Sequence, residues 1–92
     1  MKANHDIRNI LFLARTLAAH RNWALSTVSL YSAKSGKLFR DYEEKLKNGQ
    51  PAQILNTRRD RILQWFSDNW PCDLEWPEGI KRPDRNGSED AA

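Results

Sequence analysis

The side chains of this chain that carry out proton transfer, nucleophilic attack or metal binding are few and scattered. His5 and His20 are the only histidines, and Cys72 is the only cysteine. Neither histidine stands at metal-ligand spacing from the other or from the thiol, so no metal site is expected. Glu43 and Glu44 are neighbours in sequence, and adjacent helical residues do not face one another, so they make no acid–base pair. The sequence has no Gly-rich phosphate loop and no Ser-centred nucleophile motif. Neither an enzyme nor a cofactor is therefore expected.

What the chain does have is charge and hydroxyl groups, both unevenly placed. Residues 1–40 carry seven basic residues (Lys2, Arg8, Arg15, Arg21, Lys34, Lys37, Arg40) against Asp6 alone, a net +6. Residues 41–92 carry eight basic and eleven acidic residues, a net −3. A half-chain that basic attracts polyanions, nucleic acid foremost. Within it lies "ALSTVSLYSAKSG", residues 24–36, too poor in large apolar residues for a core helix. Its Ser and Thr hydroxyls can donate to or accept from bases and phosphates.

The elements that must hold these groups follow from hydrophobic spacing. "DIRNILFLARTLAAHR", residues 6–21, sets Ile7, Ile10, Leu11, Ala14, Leu17 and Ala18 at helical intervals, which predicts an amphipathic helix capped by Asn4 or Asp6. Asn22 tolerates the left-handed backbone of a helix stop. Ser26 is the expected N-cap of a second short helix, closed at Ser35 and Gly36, with Val28 and Tyr31 inward and Ser29, Ser32 and Ala33 outside the core. "KLFRDYEEKLKNG" reads as a third helix with Leu38, Phe39, Tyr42 and Leu46 inward and Gly49 as its stop. Ile54 and Leu55 are expected to dock on the core, and Thr57 to cap a fourth helix with Ile62, Trp65, Phe66 and Trp70 inward. Arg58, Arg59 and Arg61 read as charge on that helix's surface.

From residue 69 the pattern changes, because Trp-Pro occurs twice and Arg-Pro once. Proline stops a helix and biases the preceding residue to an extended form. This segment is expected to run extended, anchored by Trp70, Leu74, Trp76 and Ile80, with Asp73, Glu75 and Glu78 giving it acidic character. The fold class expected is therefore all-α: about four helices in one domain, residues 1–83, with an extended Trp-Pro C-terminal segment. Residues 84–92 have the composition of a disordered tail. The charged start "MKANHDIRN" and the shortness of "ILFLA" predict no export leader, no membrane partner and a cytoplasmic setting.

Residues 15–34, "RTLAAHRNWALSTVSLYSAK", fit a helix-turn-helix position by position. Such a unit needs a small residue where the helices cross, here Ala18, and a turn residue tolerant of positive φ, here Asn22. "AAHRNWALSTVSLYS" resembles the helix-turn-helix of Cro/repressor-type regulators of phages and mobile elements, in which "STVS" commonly opens the recognition helix. Asn22 stands where that family usually has Gly, and Arg21 where it usually has an apolar residue. The resemblance implies a sequence-specific, nucleoid-associated DNA-binding regulator of transcription, such as a repressor, acting as a homodimer on double-stranded DNA.

Carried over residue by residue, the resemblance puts Ala24, Leu25, Ser26, Thr27, Ser29, Leu30 and Ala33 toward the bases, with Leu25, Leu30 and Ala33 able to pack on thymine methyls. Arg15, Arg21, Lys34, Lys37 and Arg40 are the phosphate-contact candidates, and His20 is read as a surface residue or a further one. The competing reading is a small protein-binding module, of the inhibitor or antiactivator kind, that meets a partner through Trp70 and Trp76 in the acidic C-terminal segment.

Overall fold

The computed structural model describes residues 2–84, and among them the chain is all-α with four helices: α1 (Lys2–Arg21), α2 (Leu25–Ala33), α3 (Leu38–Lys47) and α4 (Asn56–Asn69). Both α1 and α2 pack against each of the other three helices, and the Trp-Pro segment after α4, expected to run extended, is broken by turns at 72–73 and 78–79, where Leu74 N–H donates to Pro71 O at 3.2 Å and Gly79 takes φ 89°. The expected tail begins at Asp84, whose carbonyl accepts from Gln64 Nε2 at 2.6 Å. Residues 85–92 lie outside the described residues.

The stripe on α1 forms as its spacing predicts: Ile7, Ile10, Leu11, Ala14, Leu17 and Ala18 are buried, joined by Leu13. Each fully buried large aliphatic side chain stabilises by about 1.5–3 kcal/mol, so this helix supplies much of what holds the domain. It starts at Lys2, earlier than expected, so neither Asn4 nor Asp6 caps it. Asp6 instead accepts from Arg59 Nη1 on α4 at 3.2 Å, and Arg59 Nη2 also reaches Asp60 Oδ1 at 3.0 Å. Those carboxylates raise the guanidinium pKa of Arg59.

Each helix end has its own chemistry. Asn22 takes φ 59°, Trp23 N–H donates to Ala18 O at 2.8 Å and Asn22 N–H to Ala19 O at 3.4 Å. That is a Schellman stop, which satisfies carbonyls that α1 leaves without intrahelical partners. Gly49, φ 71°, repeats it after α3, where Gln50 N–H donates to Lys45 O at 2.8 Å. At the end of α2 the left-handed residue is Lys34, φ 63°, rather than Gly36. Two predicted caps are corrected: α2 starts after Ala24 and α4 after Leu55, both extended and without a side-chain cap bond. Ser26 and Thr57 therefore lie inside their helices.

The inner face of α2 also differs from expectation. Val28 is buried, but its companions are Ser29 and Ser32, and Tyr31 is 49% exposed. Ser29 and Ser32 are short enough to let neighbouring helices approach α2 closely, and each hydroxyl has a partner. Ser32 Oγ donates to Val28 O at 2.7 Å. Ser29 Oγ donates to the Ser35 carbonyl and accepts from Phe39 N–H at 3.1 Å. Because α3 has no side-chain cap from Lys37, Ser29 satisfies a first-turn donor of α3 from a different helix. Ser29→Ala leaves that N–H and the Ser35 carbonyl without this partner. Its expected cost is about 1–3 kcal/mol, seen as a lower urea midpoint at unchanged slope.

Phe39 and Tyr42 of α3 and Ile62 and Phe66 of α4 complete the core, with Leu38, Leu46, Ile54 and Trp65 packed at its edge. Burial pushes the Tyr42 phenol above its ordinary pKa of 10.0, with Arg58 pulling the other way. Leu55 does not dock: it is 76% exposed, and Ala52 is buried in the connector instead. The C-terminal segment wraps back over α4 by an aromatic chain, Phe39–Phe66–Trp70–Trp76, with centroid separations of 6.4, 6.3 and 5.0 Å. Trp76 Nε1 donates to Ile80 O at 2.7 Å, while Arg82 stacks 5.1 Å over the Trp76 ring and donates to Ser67 O at 2.9 Å. Buried Ser67 donates to the Pro83 carbonyl. Trp70 precedes Pro71 and is extended (ψ 128°), the form that a following proline favours.

Candidate nucleic-acid interface

The unit that positions the candidate site is α1, a three-residue turn (Asn22, Trp23, Ala24) and α2. The turn is short because the Schellman stop at Asn22 reverses the chain within one residue. Trp23 then packs partly into the core, fixing where α2 leaves the turn. No side chain caps α2, so the backbone N–H groups of Leu25 and Ser26 stand at the positive end of its dipole, a geometry that favours anions.

The outward face of α2 is turned relative to the one expected. Ser29 is withdrawn from it altogether, at 0% exposure, because its hydroxyl ties α2 to α3. Leu25 and Ala33 are half-buried against the core. Ser26, Leu30, Tyr31 and Lys34 are exposed, as is Ala24 before the helix, with Thr27 half-buried beside them. Positions 26, 27, 30, 31 and 34 are three and four residues apart along the helix, so they form one continuous stripe. Of the seven residues expected toward the bases, Ser26, Thr27 and Leu30 thus share this stripe, and Ala24 is exposed just before it. Tyr31, expected inward, joins it.

Nothing local in the sequence separates the two faces, since Val28 belongs to both. The signal available is that small residues at 29 and 32 permit close helix approach. Tyr31 tolerates exposure because one end of its side chain is polar.

The stripe is flanked by cations of differing availability. Lys34 ends α2, Lys37 precedes α3 and Arg40 lies on its first turn; all three are exposed, and none makes an ion pair with a described residue. Arg21 is exposed with its guanidinium carbon 5.4 Å over the Trp23 ring, and Trp23 in turn meets the Tyr31 ring edge-on at 5.5 Å and 69°. Arg15 departs from expectation: its Nε donates to Glu43 Oε2 at 2.7 Å and its Nη2 to the same oxygen. That pairing on the α1–α3 face offsets the charge a phosphate would need. His20 Nε2 lies 3.3 Å from Asp73 Oδ1, which occupies it similarly. Helix α2 itself holds no charged residue.

The two aromatic partner candidates fare differently. Trp70 is buried at 2% exposure, its Nε1 without an acceptor among the described residues, whereas Trp76 is half-buried. Phe12, 52% exposed, lies with Thr16, Trp76 and Pro77 along a shallow groove edged by Glu75 and Glu78. No described helix is long and apolar enough to cross a membrane. No protein-family model matches the chain, and neither a curated protein nor a solved structure matches it either.

Proposed function

We propose that the protein binds double-stranded DNA through the outward stripe of α2, as a helix-turn-helix regulator of transcription. The observation that carries this reading is a polar and apolar stripe, free of acidic side chains, that ends in the exposed Lys34 and is followed in the chain by the exposed Lys37 and Arg40, cations that pair with no described acid. Short residues on such a stripe let the backbone approach base edges, and flanking cations take the phosphates. With no long amide or guanidinium in Leu25–Ala33, phosphate contact dominates affinity and base contact adds modest preference. Two-fold pairing on half-sites about one DNA turn apart is the assembly proposed, as is usual for this docking mode.

The experiment is a mobility-shift titration against a random-sequence duplex pool, at low and at high salt. Retarded complex that disappears steeply as salt rises supports the reading. Absence of any complex at low salt sinks it.

A second reading is favoured by the exposed Phe12 beside Trp76 and Pro77, a small apolar groove with an acidic edge. A protein partner would engage that groove rather than Trp70, which the core already uses.

A further inference from the structure

We propose that α2 selects A·T-containing duplex by apolar contact of Leu30 and Tyr31 with thymine C5-methyl groups, an inference that rests on the DNA-binding reading above. Leu30 and Tyr31 are adjacent at mid-helix and 50% and 49% exposed, two of the four large apolar residues exposed among the described residues. Leu25–Ala33 contains no Arg, Lys, Asn, Gln, Asp or Glu, so it has no side chain to pair bidentately with guanine or adenine and no carboxylate to accept from cytosine N4, and its hydroxyls donate or accept at any base and discriminate weakly. In the major groove the thymine methyl is the apolar group that base edges offer. An apolar ridge carried into that groove therefore discriminates by the methyl.

Tyr31 is also held in place before any ligand arrives. Tyr31 rests edge-on against Trp23 at 5.5 Å, and Arg21 covers Trp23 at 5.4 Å. Ordering a side chain in advance lowers the entropy cost of binding. A second copy of the chain suits this patch less well. In a two-fold contact the same surface meets itself, so exposed Lys34 would bring positive charge from both sides to a patch with no acid on α2.

The test compares three defined duplexes by fluorescence anisotropy at moderate salt: alternating A·T, the same duplex with deoxyuridine in place of thymidine, and alternating G·C. The uridine duplex keeps the same backbone and hydrogen-bonding groups and lacks only the methyls. Wild type is expected to bind A·T about fourfold tighter than A·U for each methyl covered, roughly tenfold or more for two. Leu30→Ala should weaken A·T binding more than A·U binding and so shrink that ratio, and Leu30→Ala with Tyr31→Ala should bring it to near one. Circular dichroism checks that each variant is folded, and the half-exposed Leu30 site keeps the test informative should Tyr31→Ala melt.

Equal wild-type affinity for A·T and A·U, or a ratio that survives in the double variant, overturns the inference while salt-dependent binding leaves the DNA reading standing. Binding to none of the three duplexes overturns both. A dimer in sedimentation that Leu30→Ala dissociates, with no methyl preference, assigns the patch to a second copy and overturns the inference.

Discussion

Trp70→Ala is expected to lower the unfolding free energy by about 3–5 kcal/mol, more than Ser29→Ala does. Trp70 is 2% exposed and lies between Phe66, at 6.3 Å, and Trp76, at 5.0 Å. Removing its ring opens a cavity at the point where α4 hands over to the C-terminal segment. It also takes away the surface on which Trp76 rests, and with it the seat of Arg82 on the Trp76 face. Domains of this size hold only about 5–15 kcal/mol in total, so Trp70→Ala removes a large fraction of the stability and should lower both the thermal and the urea midpoint.

Trp70→Phe supplies the control. It keeps an aromatic ring in place and deletes an indole N–H that has no acceptor among the described residues, so its cost falls well below that of Trp70→Ala. Thermal and urea melts of both variants decide the matter. If Trp70→Ala unfolds with a wild-type midpoint, the C-terminal segment does not stabilise the core as described.

Simultaneous replacement of Lys34, Lys37 and Arg40 by Ala is expected to reduce DNA affinity roughly 10²-fold at about 0.15 M salt. The slope of log affinity against log salt should become shallower by about one for each phosphate no longer neutralised. These residues suit the purpose because they are exposed and make no ion pair with a described residue. Removing them therefore leaves the core and the Ser29 tie untouched. The reduction should be uniform across sequences, since a phosphate contact carries no base information.

Arg15→Ala is the matched comparison, because Arg15 is already paired with Glu43. Its exposed ion pair is worth at most about 1 kcal/mol of stability, and its DNA effect should be small. Affinity and slope that stay at wild-type values in the triple variant would remove this face from the interface.

The sequence by itself determined the helices and most of the core, because hydrophobic spacing is local. The α1 stripe from Ile7 to Ala18, the pairs Phe39–Tyr42 and Ile62–Phe66, and the stops at Asn22 and Gly49 all lie where 3.6-residue periodicity and left-handed tolerance put them. The basic half-chain and the hydroxyl-rich α2 were legible for the same reason. The tertiary structure decided which face of α2 looks outward. Val28 fits a stripe with Tyr31 or one with Ser29 and Ser32, and only packing against three other helices makes the small residues the better inner face.

It also decided which charges are left over. Arg15 finds Glu43 at a separation of 28 residues, and Arg59 finds Asp6 at 53. No local pattern encodes such encounters. The helix starts fell between these limits: Ser26 and Thr57 are good cap types, but backbone geometry placed Ala24 and Leu55 at the boundaries instead. A cap preference worth about 1 kcal/mol yields to packing terms several times larger.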